Sequence, residues 1–137
     1  MAACFRYIVN DVNASIEFYT KHLGFKLEMH PAPPFAEISR GDMHIYLTQP
    51  FRMGGGAPMP SGERQTAGGW NRIHVVVDDL DTMFDRLKRA GCHFRNEIVQ
   101  GVGGKQILLE DPSGNLVELF QPNTADYRAP GGAAQRQ

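Results

Sequence analysis

Val9-Asn10-Asp11-Val12 opens an amphipathic stretch that closes at Leu23-Gly24-Phe25, and Val77-Asp78-Asp79-Leu80 opens a second that closes at Ala90-Gly91-Cys92. Short runs typical of strands follow each stretch. Each half then ends in the same dipeptide, Gln49-Pro50 or Gln121-Pro122. A repeat of this kind is a strong organising signal in a single sequence. The chain is therefore predicted to contain a duplicated unit in which a strand runs into a helix and further strands follow.

Both amphipathic stretches carry one apolar stripe with helical spacing. The stripes consist of Val12, Ile16, Tyr19 and Leu23 in the first stretch, and of Leu80, Met83, Phe84, Leu87 and Ala90 in the second. Asp11 can cap the first helix and Gly24 can end it. Alternating polar and apolar side chains predict the strands. These are a run from Phe25 that Pro31 breaks, a hairpin of 35–39 with 43–48, and a run of 116–120 after the turn at 111–115.

The domain organisation follows from this repeat. We expect a first module over residues 1–49 and a second over 70–122, each with one helix and several strands. Residues 50–69, which are rich in Gly and Pro, form a linker or a lid between them. A structureless connection of about twenty residues is uncommon in a compact domain unless it is a linker or functional. Phe51, Met53 and Met59 are the side chains that a lid would fold over a pocket. Residues 123–137 are expected to be a flexible tail.

Composition narrows the function classes. The 137 residues carry a net charge of -1 with Lys and Arg dispersed, which argues against a nucleic-acid or membrane-surface partner because both need clustered cations. No apolar run of about 18 residues is present to span a bilayer. The two cysteines show no metal-ligand or disulfide spacing. We therefore expect a cytoplasmic protein whose partner is a small molecule.

The sequence resembles the vicinal oxygen chelate superfamily, which includes glyoxalase I, extradiol dioxygenases and bleomycin resistance proteins. The resemblance rests on Phe18-Tyr19 with Leu23-Gly24-Phe25, and on Asp111-Pro112 with Gly114-Asn115 and the following Leu116-Val117-Glu118-Leu119. It implies an α+β fold of two tandem βαβββ modules. Their mixed sheets would curve into a cup with the helices outside, and the family commonly forms homodimers.

In metal-dependent members of that family, four strand positions hold a divalent ion that chelates two substrate oxygens. Carried over to this sequence, the resemblance places those positions at Cys4, Tyr46, Arg72 and Glu118. Only Glu118 is a usual ligand. An arginine stays protonated in proteins, so it cannot ligate a metal and its charge repels one. No cofactor is therefore expected.

An ion pair is the predicted replacement for the metal. Arg72 and Glu118 would lie on neighbouring strands and form a charge-assisted pair, which Tyr46 could join by a hydrogen bond, while Cys4 would be a small buried thiol. An alternative to the ion pair is a metal site built from residues that lie two positions further along the same strand faces. If the register shifts by one strand period, His44, His74 and Glu118 form a two-histidine, one-carboxylate metal site.

The predicted pocket combines cationic and aromatic side chains, the usual mixture of a small-molecule site. Its walls are Arg6, Ile8, His44, Tyr46, Thr48, Arg72, His74, Leu116, Glu118 and Phe120. The preferred hypothesis is a bleomycin-resistance-like protein that binds an anionic or carbonyl-rich organic ligand without a metal. Bleomycin itself is not favoured, because a nearly neutral chain lacks the acidic balance that suits a cationic drug.

Two enzymatic alternatives stand beside the binding hypothesis. One is a metal-dependent glyoxalase-type lyase, isomerase or dioxygenase with an irregular site. The other is metal-free acid–base catalysis, with His74 or Glu118 as the base beside an arginine.

Assembly is predicted from the sheet faces opposite the helices. Ile8, Val76, Leu116 and Phe120 make these faces too apolar to stand in water, so another module must cover them. The modules can pair within one chain or across two chains. A homodimer with two equivalent cups is the preferred arrangement.

Overall fold

The computed structural model describes residues 3–123. Residues 124–137, which make up most of the predicted tail, lie outside the described residues. The chain divides into two compact units. The first runs to Gly69 and also includes Asp111–Asn115. The second covers Trp70–Glu110 and resumes at Leu116.

The first unit contains one helix and one four-stranded sheet. Its elements are β1 (Phe5–Ile8), α1 (Val12–His22), β2 (Lys26–Ala32), β3 (Phe35–Arg40) and β4 (Met43–Thr48), followed by a 3-10 turn at Gly54–Gly56. The strands are ordered β1-β4-β3-β2. β1 pairs with β4 in parallel, and the other pairings are antiparallel. This is the strand–helix–three-strand order that the repeat predicts.

The second unit repeats the pattern with two additional short strands. Its elements are β5 (Arg72–Val76), α2 (Leu80–Arg89), β6 (His93–Phe94), β7 (Val99–Gln100), β8 (Gly104–Glu110) and β9 (Leu116–Pro122). The sheet order is β5-β9-β8-β6, and β7 also pairs with β8. The predicted α+β fold of two βαβββ modules is confirmed. Neither described helix combines the length and apolar character needed to cross a bilayer.

The alternation of each central strand fixes which side chains face the helix. In the first unit Tyr7, Val9, Ile45 and Leu47 are buried on the helix side of the sheet together with Val12 and Tyr19 of α1. Arg6, His44 and Tyr46 point to the opposite face, where they are exposed or half-buried. These three polar side chains therefore share one open sheet face, because successive side chains of a strand point to opposite faces.

Pro31 does not end β2, contrary to the sequence prediction, since the strand continues to Ala32. The reason is its place in the sheet. β2 is the edge strand, where a residue without a backbone N–H costs no ladder hydrogen bond, and the pairing with β3 shifts register on both sides of Met29. An edge position therefore tolerates a proline that a central strand would not.

The Asp111–Asn115 turn is anchored in the first unit, although its flanking strands β8 and β9 belong to the second. The Asp111 carboxylate accepts hydrogen bonds from the backbone N–H of Ser113 and of Asn115, both at 2.9 Å, and from the Tyr19 hydroxyl at 2.9 Å. The Asn115 amide donates to the carbonyl oxygen of Ile8 at 2.9 Å. The turn thereby fixes the end of β1.

Candidate functional site

The open face of the second sheet carries a polar cluster of Arg72, His74 and Glu118. β5 and β9 pair in parallel with His74 opposite Glu118. Arg72 Nε donates to Glu118 Oε1 at 3.0 Å, and His74 Nε2 lies 3.5 Å from Glu118 Oε2. The His74 ring also lies 5.0 Å, centroid to centroid, from Phe120. The contact predicted between Arg72 and Glu118 is therefore present.

The pair is less buried than the sequence suggested. The Glu118 side chain is 12% exposed, but that of Arg72 is 33% and that of His74 is 39% exposed. The Glu118 carboxylate lies close to the sheet surface, whereas the Arg72 side chain extends toward solvent. The charge on Glu118 is thus compensated by a partner that water still partly reaches.

The donor chemistry of this cluster does not fit a divalent metal ion. Glu118 Oε1 accepts a hydrogen bond from the guanidinium of Arg72, which cannot act as a ligand, and Oε2 faces the His74 ring. Within residues 3–123, no group of three or more His, Cys, Asp and Glu side chains is placed to hold a metal. The alternative metal site was predicted to consist of His44, His74 and Glu118. In the structure His44 Nδ1 lies 2.7 Å from Glu37 Oε2, while His74 faces Glu118.

The other two family ligand positions, Cys4 and Tyr46, lie in the first unit and contact each other. Their hydrogen bond is the main cause of a raised pKa for the Tyr46 hydroxyl. The prediction that Cys4 is buried was wrong. Cys4 is exposed and precedes β1, which is an edge strand of the first sheet. The predicted hydrogen bond from Tyr46 to the Arg72–Glu118 pair would join the two units and stays a prediction.

Arg6 is the central cationic group of the first sheet face. β1 and β4 pair so that Arg6 lies beside Tyr46, and its guanidinium carbon sits 5.4 Å from the centre of that ring. Arg6 Nη1 donates to Thr48 Oγ1 at 3.3 Å. Among the side chains that the structure describes, no carboxylate lies within salt-bridge distance of Arg6. Its charge is therefore uncompensated by a neighbouring acid.

A cavity of about 360 Å³ opens beside Arg6, within the first unit. The polar side chains in its lining are those of Arg6, Thr48 and Gln49. The rest of the lining is apolar or glycine and consists of Ala32, Pro34, Phe35, Phe51, Met53 and Gly54–Gly56. Phe51 and Met53 thus line a cavity, as a lid would require. Met59 is absent from this lining.

The structure groups the ten predicted pocket residues by unit. In the first unit Arg6 contacts both Tyr46 and Thr48, Ile8 is half-buried on the same strand, and His44 pairs with Glu37. In the second, Arg72, His74, Glu118 and Phe120 form one contact group, whereas Leu116 is fully buried.

Sequence reasoning missed Phe35, Glu37 and Gly55. Alternation with the buried residues Ala36 and Ile38 was the signal that would have placed Phe35 and Glu37 on the open face. Gly55 carried no signal beyond its Gly-rich surroundings, because its role depends on a loop conformation.

Comparison with known proteins gives a consistent result. The family model for the Glyoxalase/Bleomycin resistance protein/Dioxygenase superfamily matches residues 3–119. A bleomycin resistance protein of Geobacillus stearothermophilus is 26% identical over 120 residues, covering 82% of this chain and 90% of the relative. An ethylmalonyl-CoA/methylmalonyl-CoA epimerase of Cereibacter sphaeroides is 32% identical over 126 residues, covering 82% and 91%. The crystal structure of TnmS3, an antibiotic binding protein from Streptomyces sp. CB03234, superposes with a TM-score of 0.66 at 23% identity, covering 90% and 96%.

Proposed function

This chain belongs to the glyoxalase/bleomycin resistance protein/dioxygenase superfamily, and from that membership we propose that it binds a small organic ligand without using a conventional metal site. The ligand carries an anionic or carbonyl group. Binding, rather than metal-dependent turnover, is the activity that the residues support best.

The observation that carries this proposal is the Arg72–Glu118 contact of 3.0 Å. It commits the one usual ligand among the four family metal positions to an ion pair. A protein that lacks a Lewis acid at this place can still use the sheet face to hold a ligand, because recognition needs only shape, apolar contact and a few placed polar groups.

The ligand's character is inferred from Arg6. A guanidinium without a carboxylate partner, next to an apolar cavity, favours an anionic or carbonyl oxygen as its acceptor. Ligand contact is proposed for Arg6, Ile8, His44, Tyr46 and Thr48 in the first unit and for Arg72, His74, Glu118 and Phe120 in the second, with Leu116 as packing support. The net charge of -1 gives no preference for a cationic drug.

The named relatives add support at the level of the family. One is a bleomycin resistance protein, and a protein of the same fold is described as antibiotic binding. Sequestration of an organic molecule is therefore a precedent within this superfamily. We further propose that the protein works in the cytoplasm as a homodimer, that residues 1–49 and 70–122 are its two modules, and that residues 50–69 act as a lid or linker.

A metal-dependent lyase, isomerase or dioxygenase is the alternative function. It has support from the epimerase relative at 32% identity. The two functions differ in one measurable property, since the alternative needs an ion bound at Glu118 and the displacement of Arg72.

Elemental analysis of protein purified without chelator tests the proposal, combined with denaturing mass spectrometry of any co-purified small molecule. We expect substoichiometric Zn, Ni, Mn and Fe, and an organic anion or carbonyl compound released on denaturation. One ion per chain in the native protein, lost in Glu118→Gln, would refute the metal-free proposal and support the alternative.

A further inference from the structure

The segment from Phe51 to Gly56 lines the same cavity as Arg6, and its Gly55 lies against the Arg6 guanidinium, although the Arg6 side chain is still exposed to solvent. A Cβ atom placed on Gly55 would lie 1.3 Å from Arg6 Nη1 and 2.4 Å from Arg6 Cζ. Any side chain at position 55 therefore has to displace the guanidinium. The absence of a side chain at position 55 thus leaves room for the Arg6 guanidinium in its present orientation.

Hydrogen bonds hold the segment in this conformation. The Gln65 side-chain amide donates to the carbonyl oxygens of Gly55 and Ala57, both at 2.9 Å. The backbone N–H of Phe51 donates to the Gly56 carbonyl oxygen at 3.1 Å. Gly56 is equally constrained, since a Cβ there would lie 2.3 Å from the carbonyl oxygen of Gln49. Residues 51–57 are thus braced rather than loosely connected.

The lining of the covered cavity indicates what it accepts. Arg6 supplies the one formal charge, and Thr48 supplies a hydroxyl beside it. Phe35 and Phe51 contribute rings and Met53 a thioether, all groups that contact aromatic ligands favourably. The volume of about 360 Å³ lies at the small end of the range of about 300–1,000 Å³ for ligand pockets.

We propose that this cavity selects small aromatic carboxylates, with Arg6 binding the carboxylate and Gly55 acting as a specificity-determining residue that keeps the guanidinium in place. The proposal rests on the proposed binding function and names the ligand class for it. A planar guanidinium pairs with a carboxylate through two parallel hydrogen bonds, which a neutral amide of the same shape cannot match.

Isothermal titration calorimetry with benzoate and naphthalene-2-carboxylate, against benzamide and naphthalene-2-carboxamide, tests this selection. We expect the carboxylates to bind at least about 10-fold more tightly than the amides, the scale of one or two charge-assisted hydrogen bonds. Arg6→Gln should remove the preference. Arg6→Lys should keep only part of it, because an ammonium does not form the two-pronged contact.

Two variants of the covering segment separate its role from that of Arg6. Gly55→Ala should weaken carboxylate binding about as much as Arg6→Gln, because it pushes the guanidinium aside. Gln65→Leu removes a side chain that does not itself line the cavity but donates to the backbone carbonyl oxygens of Gly55 and Ala57, so it should weaken binding less, by loosening the segment. Arg64→Gln is the matched control. Arg64 lines a second cavity in the first unit, which shares Phe51 and Gly56 with the cavity beside Arg6. The variant removes the same charge from that second cavity and should leave the affinity unchanged.

The outcomes are distinguishable. Equal affinity for carboxylates and amides, or unchanged affinity in a folded Arg6→Gln variant, overturns the ligand class. Full affinity in Gly55→Ala overturns the role of the segment, and a loss in Arg64→Gln but not in Arg6→Gln places the site in the other cavity. If none of the four compounds binds while the purified protein carries another organic ligand, this inference fails and the proposed function stands. If neither is observed, both fail.

Discussion

Glu118 lies between two side chains of its own sheet, with Arg72 Nε at 3.0 Å and His74 Nε2 at 3.5 Å. With only 12% of the side chain exposed, the carboxylate depends on these partners for the hydrogen bonds that water would otherwise supply. Arg72 depends on it less, because the guanidinium also reaches solvent and donates to the Trp70 carbonyl oxygen at 3.3 Å. The two residues should therefore respond unequally to substitution.

Replacing Arg72 by Met should lower the free energy of unfolding by about 1–3 kcal/mol, since Glu118 keeps its charge and loses its better partner. The double variant with Glu118→Gln should recover much of that loss. Urea denaturation of the four proteins in the cycle gives the coupling energy. Lys26→Met, at an exposed ion pair with Glu28, is the control and should change little. Simple additivity of the two substitutions would show that the pair does not interact.

Tyr19 and Asp111 form a second polar contact, here fully buried in the first unit. The Tyr19 hydroxyl is 2.9 Å from Asp111 Oδ2, and the two residues are 0% and 4% exposed. Burial, followed by the charge of Asp111, raises the pKa of Tyr19 well above 10.0. Burial also raises the pKa of Asp111, although hydrogen bonds from Asn115, Tyr19 and Ser113 oppose it. Each folded-state group therefore holds its proton to a higher pH than in the unfolded chain.

This contact predicts a loss of stability at alkaline pH. Above about pH 10 an unfolded tyrosine releases its proton while folded Tyr19 retains it, so the free energy of unfolding falls as pH rises. Tyr19→Phe should lower stability at neutral pH by about 1–2 kcal/mol, through the lost hydrogen bond. It should also make the alkaline decline shallower. Urea midpoints of both proteins between pH 8 and about 11.5 measure this, and parallel curves would contradict the assignment.

At the scale of elements, the repeated Gln-Pro dipeptide has the same structural role in both halves. The Gln49 side-chain oxygen accepts a hydrogen bond from the Val12 backbone N–H at 2.7 Å, and Gln121 does the same for Leu80 at 2.8 Å. These are the first N–H groups of α1 and α2, which no residue within the helix can satisfy. Asp11 and Asp79 cap the following turn through Ala14 and Thr82, each at 3.1 Å.

Each glutamine should therefore stabilise the start of its helix. Gln49→Met and Gln121→Met should each lower the free energy of unfolding by about 1 kcal/mol, because a partly buried N–H loses its acceptor. Gln106→Met, in β8, serves as the matched control and should be nearly neutral, since within residues 3–123 the Gln106 side chain makes no hydrogen bond. Equal effects in all three variants would show that the change comes from replacing a glutamine by a methionine and not from the starts of the helices.

The sequence predicted the elements that its local signals define. Both helices were found because apolar spacing and an N-cap aspartate coincide at their starts, and the central strands were found because polar and apolar residues alternate along them. β6 and β7 were missed because two-residue strands have no periodicity to detect. Their pairing with β8 depends on contacts with residues that are not adjacent in the sequence. The 3-10 turn at Gly54–Gly56 was missed for a related reason. Its conformation depends on the hydrogen bonds from the Gln65 side chain and on contact with Arg6.

The candidate site was predicted in part by the same rule. The family resemblance pointed to Arg72 and Glu118, and strand alternation placed Arg6, His44 and Tyr46 on one face. The burial of Cys4 was predicted wrongly, because it depends on where the chain enters β1. The cavity beside Arg6 required the path of residues 50–56, which no sequence period specifies.

For the whole molecule, the case for a second copy rests on different residues from those that the sequence suggested. Val76, Leu116 and Phe120 are at most 8% exposed in the single chain. All seven residues of β2, the edge strand of the first sheet, are exposed, and Leu27 and Met29 are 46% and 42% exposed. An exposed edge strand with apolar side chains is a template for pairing with another chain.

We expect light scattering to give twice the chain mass of 15.2 kDa at micromolar concentration. Leu27→Lys combined with Met29→Lys should shift the mass toward a single chain, because charges on an edge strand oppose edge-to-edge pairing. Val102→Lys, at an equally apolar and fully exposed position in the second unit, should leave the mass unchanged. A single-chain mass for the unmodified protein would refute the homodimer.

The anchored turn at Asp111–Asn115 bears on how this protein can be divided. Cutting the chain after Gly69 separates the two repeats in sequence, but it leaves the first unit without five of its own residues, among them the acceptor for Tyr19. The first half is then not a transplantable module. Coexpressed, however, the second fragment supplies the five residues that the first lacks, so the two fragments could serve as a split-protein pair whose reassembly would report on the proximity of two fused partners.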